Sequence, residues 1–251
     1  MFTRLAKTPP SLHSAATRRS VLRAAVAGTA ATTAVALAAP VAGATPAAGA
    51  RPRPEEPRPS TPAQALLALN AGNRRWRTFR EQHPHETEVV RRTLVDGQHP
   101  FAIVLGCIDS RVAPELVFDQ GLGDLMTVRT AGQVLDEAVR GSIAYGVLEL
   151  GIPLVVVLGH QSCGAVSAAV DADESGSLLP AHIQYLADEI KPAIDHTKTG
   201  AARKDSTINA NVSLIRGRLA ADPDLAAKIA DGSLAIVGAR YELTTQLVHQ
   251  I

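Results

Sequence analysis

The chain has 251 residues, with 25 Lys plus Arg against 24 Asp plus Glu, a formal net charge of +1 and 46% hydrophobic residues. This balance argues against the basic surface that nucleic acid or an anionic membrane demands. The length suits a single domain with a sizeable core once an unusual N-terminal stretch is set aside.

Residues 1–44 hold Arg4, Lys7, Arg18, Arg19 and Arg23 but no acidic residue. The segment 17–23, Thr-Arg-Arg-Ser-Val-Leu-Arg, resembles a twin-arginine export signal. An apolar run over 24–39 follows, and Ala42-Gly43-Ala44 offers the small-residue pattern of a signal-peptidase site. A second triplet, Ala48-Gly49-Ala50, leaves the cleavage point open. The alternative is a membrane anchor, but Gly28 and three threonines interrupt the run, which is shorter than the roughly 20 apolar residues of a span. The expectation is a cleaved signal peptide and an exported protein (secreted, periplasmic or envelope-associated) with no stable membrane span after processing. Without residues 1–44 the chain keeps 20 basic and 24 acidic side chains, a formal net charge of −4.

Residues 45–60, Pro-rich and charged from position 51, read as an extended linker, and 61–251 as one folded domain. Order is expected to begin at Thr61-Pro62-Ala63-Gln64, which supplies a hydroxyl cap, Pro at the first helical position and Gln at the third. This predicts a helix to about position 79, with a second over 87–94. Residues 101–106 are continuously apolar and rich in β-branched side chains, the mark of a strand buried on both faces. A short strand over 125–130 comes next, then a helix over 136–150 with Val139, Ile143, Val147 and Leu150 on one side. Residues 154–158 read as another fully buried strand, running into Gly159-His160, and a helix over 163–172 follows. The polar stretch 180–230 reads as helical, broken at Pro192 and Pro223. A last main strand covers 234–238, and 239–248 either extends it or adds a hairpin strand. Strands alternating with helices define an α/β fold with a mostly parallel central sheet flanked by helices.

In such sheets ligands bind beyond the carboxyl ends of the strands. Cys107 closes one buried strand, His160 closes another, and Cys163 starts the next helix. His160-Gln161-Ser162-Cys163 has a spacing that lets both ligands reach one metal. Two thiolates and one imidazole suit Zn2+ and leave a fourth position for water. Alone, an H-x-x-C is weak, since buried Cys and His are common in cores. A disulfide between Cys107 and Cys163, the chain's only cysteines, is the default in an exported protein. That default weakens for a route that carries folded proteins. In Cys107-Ile108-Asp109-Ser110-Arg111, alternation places Cys107, Asp109 and Arg111 on one side of an extended segment. Asp109 there can orient a metal-activated water, and Arg111 can hold its carboxylate ionised. The competing reading is a surface turn in which Asp109 caps a helix and Arg111 is merely solvated.

Taken together, Cys107-x-Asp109-Ser110-Arg111-x-x-Pro114-Glu115 and Gly159-His160-x-x-Cys163-Gly164-Ala165 resemble the β-class carbonic anhydrase family. Similar support comes from Gly72-Asn73-Arg74-Arg75, the stretch 118–125, Val128-Arg129 and Gly238-Ala239-Arg240-Tyr241. The resemblance implies reversible hydration of CO2 to bicarbonate at one zinc per chain, held by Cys107, His160 and Cys163. It implies that Asp109 either pairs with Arg111 and orients the attacking hydroxide or swings onto the zinc as fourth ligand. It also implies a homodimer or higher homo-oligomer. Two departures stand out. The chain has Arg129-Thr130-Ala131-Gly132-Gln133 where the family reads Arg-Asn-Ala-Gly-Asn. It also has Val104 where members with a regulatory bicarbonate site carry Trp. His182 and Tyr185, in the polar segment downstream, are the candidates for a proton shuttle. Rival readings are a zinc hydrolase of COS or CS2, a non-catalytic zinc-binding protein, and Cys163 as a nucleophile with His160 as base.

Overall fold

The computed structural model describes residues 57–251, so the segment read as an export signal and most of the linker lie outside the described residues. The linker's last residues are tied to the body. Arg58 Nη1 donates to the carbonyls of His99 (2.8 Å) and Gly123 (2.6 Å).

The chain runs α1 (Pro62–Arg77), α2 (Glu88–Thr93), β1 (Ala102–Cys107), α3 (Pro114–Val117), β2 (Leu125–Thr130), α4 (Glu137–Leu148) and β3 (Leu154–His160). It continues through α5 (Gly164–Ser175), α6 (Ile183–Ile190), α7 (Gly200–Ala220), α8 (Pro223–Ala230), β4 (Ala235–Tyr241) and β5 (Val248–Gln250). The expected cap of α1 forms, with Thr61 Oγ1 accepting from Gln64 N at 3.3 Å. The polar stretch 180–230 resolves into three helices. Pro192 sits in a 3-10 turn at Lys191–Ala193 and Pro223 opens α8, so each proline marks a break, as its missing N–H requires.

The sheet has the order β2-β1-β3-β4-β5, with the first four strands parallel and β5 antiparallel to β4. Both alternatives for 239–248 are thus partly realised: β4 extends to Tyr241, and a short return strand pairs with it. β3 likewise runs to His160, because its pairing with β4 continues through Gly159↔Arg240 and His160↔Tyr241.

β1 and β3 are buried at every position. Their alternate side chains serve two cores. Ile103, Leu105, Val155 and Val157 pack with Val139, Ile143 and Val147 of α4 and with Val212, Ile215 and Leu219 of α7. Val104, Leu154, Val156 and Leu158 face the other way, against Ala65 and Leu69 of α1, Phe118 and Tyr241. Each such side chain contributes about 1.5–3 kcal/mol by burial, which is why these two strands form the fixed centre of the sheet. Chain direction reverses between them: β1 leads to β2 on one side, and α4 crosses to β3 on the other. The carboxyl ends of β1 and β3 therefore flank a topological switch point, where doubly wound sheets bind ligands. No helix among the described residues is long and apolar enough to cross a membrane.

Candidate metal centre

Cys107 and His160 are the final residues of β1 and β3, neighbouring strands in register from Ile103↔Val155 to Gly106↔Leu158. Cys163 is the residue before α5, reached through Ser162 in a left-handed conformation (φ 56°). The Cys107 and Cys163 sulfurs and a His160 nitrogen lie within 4.8 Å of one another, and all three residues are buried. The cysteines are free thiols, with Sγ atoms 3.9 Å apart. That is far beyond the roughly 2.05 Å of a disulfide bond. It is close to the ~3.8 Å that two Zn–S bonds of about 2.3 Å subtend at a tetrahedral angle.

The histidine points the same way. His160 Nδ1 lies 2.9 Å from the carbonyl of Gln161, so the Nδ1–H tautomer donates there and the lone pair is left on Nε2. Nε2 is buried and has no hydrogen-bond partner. A buried nitrogen without a partner is costly. A soft-donor set of two sulfurs and one imidazole nitrogen removes that cost by ligating zinc, and the residues present fit that ion.

Either thiol can donate its proton to the other across the 3.9 Å between them. Cys107 is lowered below the ordinary thiol value, chiefly by the side-chain hydrogen bond with Cys163, against the effect of burial, with the Gly132 N–H assisting. The Cys163 thiol is pushed up by the Cys107 sulfur and by burial. A divalent cation displaces that proton and stabilises both thiolates.

Asp109 stands at the rim, and both of its oxygens are engaged by Arg111. Arg111 Nε donates to Oδ1 at 2.9 Å, Nη2 to Oδ2 at 2.7 Å, and the Arg111 backbone N–H to Oδ1 at 3.0 Å. The Arg111 side chain beside it holds the Asp109 carboxyl at about 2, well below its ordinary 3.8. Of the two places the sequence leaves open for Asp109, this is the Arg-paired one. Oδ2 still lies only 3.9 Å from His160 Nε2, beside the donor cluster. Arg111 Nη2 also reaches the Ser162 carbonyl at 3.4 Å, joining the two motifs across the switch point.

Several residues of the centre are not evident from the sequence. Arg129 donates to the carbonyls of Cys107 (2.9 Å), Asp109 (2.8 Å) and Val112 (3.2 Å), pinning the loop that carries both motif residues. Gly132, at φ 68°, turns its N–H onto Cys107 Sγ at 3.3 Å. Asn211 of α7 donates from Nδ2 to the Gly132 carbonyl at 2.9 Å. The departure at 130–133 is accommodated locally: Thr130 Oγ1 closes the turn on the Val134 carbonyl at 2.8 Å, while Gln133 is buried with Oε1 unpartnered. Only Arg129 and this Thr-Ala-Gly-Gln stretch left a signal in the sequence; Asn211 left none. His182 precedes α6 and Tyr185 lies on that helix, half exposed. Among the described residues, no hydrogen bond joins either to the cluster.

Sheet topology and donor set together describe an α/β protein with a buried Cys-His-Cys cluster, able to hold a metal ion, at its switch point. The carbonic anhydrase family model matches residues 102–248. Carbonic anhydrase 2 of Mycobacterium tuberculosis is 44% identical over 189 residues, covering 73% of this chain and 90% of that protein. The carbonic anhydrase of Mycolicibacterium smegmatis is 42% identical over the same length and coverage. Among solved structures, tetrameric β-carbonic anhydrases from Sordaria macrospora superpose with a TM-score of 0.60 at 20% identity, covering 74% of this chain and 95% of the other. The chain belongs to the carbonic anhydrase family, with a β-class fold, and its reaction is the reversible hydration of CO2.

Proposed function

We propose that this chain hydrates CO2 at a single zinc ion held by Cys107, His160 and Cys163, with Asp109 and Arg111 directing the nucleophile. The observation that carries this reading is His160 Nε2, buried and unpartnered between two free thiols. Zinc, when bound, supplies a Lewis acid that brings the pKa of water toward about 7.

The chain's own residues supply the remainder. Two thiolates offset the charge of the cation in a buried site, and the Gln161 carbonyl fixes the imidazole so that Nε2 faces inward. Asp109, kept ionised by Arg111, is acceptor-only at the rim. Its Oδ2 accepts a hydrogen bond from the attacking water and turns a lone pair toward CO2. Arg111, anchored to Ser162, keeps that oxygen from drifting. The protein should lose CO2 hydration on exhaustive chelation and regain it with about one equivalent of zinc. Full activity in metal-free protein would overturn the reading.

The assembly is read as at least a homodimer. Ile108 (59% exposed), Leu116 (50%) and Leu122 (48%) are exposed apolar side chains on the segment joining β1 to β2. The likeness to tetrameric relatives supports the same conclusion. Sedimentation as a monomer at micromolar concentration would contradict it. Export rests on residues 1–44 alone, with their paired arginines and apolar run. Fractionation that recovers all of the protein from the cytoplasm would refute it.

A further inference from the structure

Asn211 stands at the middle of α7 with no exposed surface. The other buried residues of α7 are Ile208, Val212, Ile215 and Leu219, with Thr207, whose hydroxyl is satisfied within the helix by the Arg203 carbonyl at 2.8 Å. The helix lies close to the end of β3: a Cβ at Gly159 would fall 2.6 Å from Val212 Cγ2 and 3.4 Å from Ile208 Cγ2. An apolar side chain at 211 would suit such packing. The asparagine is instead kept with Oδ1 buried and unpartnered, which is destabilising in itself. What it provides is the Nδ2 donor to the Gly132 carbonyl, 79 positions away in the chain, and through that residue a link to Cys107 Sγ.

The Gly132 α-carbon is closely packed on the side that a Cβ would occupy. A Cβ there would lie 2.8 Å from Ile190 Cδ1 and 3.2 Å from the Ala165 Cβ, and Ala165 belongs to the same helix start as Cys163. With the carbonyl held by Asn211 and no room to rock, the N–H stays aimed at the sulfur. An N–H donor lowers the electron donation of a thiolate, so the position of this one peptide tunes one of the two sulfur ligands.

We propose that Asn211 is a positioning residue for the metal centre, acting through Gly132 to keep a backbone N–H on the Cys107 sulfur. The proposal rests on the reading of Cys107, His160 and Cys163 as the zinc ligands. Asn211→Leu keeps the branching and heavy-atom count of the side chain and removes the donor. Zinc affinity, measured by competition with a chromogenic chelator, should fall about 10–100-fold. In the cobalt-substituted protein, the thiolate-to-metal charge-transfer band should move to lower energy. Val212→Ala, a packing change on the same helix, should lower thermal stability and leave affinity and band in place.

Wild-type affinity and an unmoved band in Asn211→Leu would overturn the proposal, as would equal shifts in Val212→Ala. Should Asn211→Leu not fold, the wild-type protein loaded with 113Cd decides. The Gly132 amide proton should show scalar coupling to the metal through the sulfur, and its absence would overturn the proposal. A wild-type protein that takes up neither zinc nor cadmium would instead refute the zinc reading itself.

Discussion

Asp119 and Asp124 are as deeply buried as the groups of the metal centre, yet their surroundings are of the opposite kind. Asp119 accepts from the Arg75 side chain and from the backbone N–H groups of Gln82 and His83. Asp124 accepts from Gly121 N at 2.9 Å and has His85 Nδ1 at 2.7 Å. No oxygen of either carboxylate is left buried without a partner, and these bonds fix the course of the chain between α1 and α2. At the ends of β1 and β3, by contrast, a buried imidazole nitrogen has no partner and two free thiols stand 3.9 Å apart. Equal burial with saturated partners marks scaffolding; equal burial with converging, unsatisfied soft donors marks a place kept for a ligand.

Substitutions can break this contrast. The largest effect should come from His160→Ala, which removes a ligand: zinc content should collapse and CO2 hydration fall by about a thousandfold or more, since a Lewis acid contributes several kcal/mol. Metal analysis with a stopped-flow hydration assay checks both. Asp109→Ala should keep zinc and lower kcat by about 10²–10³-fold, the usual scale for one general acid–base group. Unchanged turnover would remove Asp109 from the mechanism. Asp119→Ala should do the reverse, sparing zinc content while destabilising the fold by about 2–3 kcal/mol, because a guanidinium and two N–H groups lose their acceptor. Thermal unfolding of the loaded protein would register it.

The smallest effect concerns pH. Asp109 is depressed to about 2 by Arg111, so its ionised, paired form is complete above the ordinary carboxylate value of 3.8 and is lost only as pH falls through about 2. In Arg111→Ala that loss should move up toward 3.8, visible as a higher Asp109 carboxyl titration by NMR. An unmoved titration would show that the pairing does not set the charge.

The same contrast explains what the sequence discloses. Cys107, His160 and Cys163 stand out because each terminates or follows a run of apolar, strand-forming residues, and the strand period places them at one sheet end. Asp109 and Arg111 are legible because their two-residue spacing sits beside a cysteine. Asn211 is not, since a lone Asn in a helical stretch looks the same whether it faces water or a carbonyl 79 positions away. Its meaning depends on where α7 crosses the sheet. Arg129 is intermediate: its identity is visible, but its three carbonyl partners come from a loop whose path only tertiary structure sets. Position 239–248 was ambiguous for a related reason. Asn73 binds Gln246 O at 2.9 Å and Val248 N at 2.9 Å, so a residue of α1 selects the return strand.

X-ray absorption at the zinc edge tests most directly whether the unsatisfied donors are the metal site. Two sulfur ligands per zinc at about 2.3 Å and two lighter ligands near 2.0 Å, one of them an imidazole, are expected. A spectrum with only nitrogen and oxygen neighbours, or with four sulfurs, would contradict that assignment.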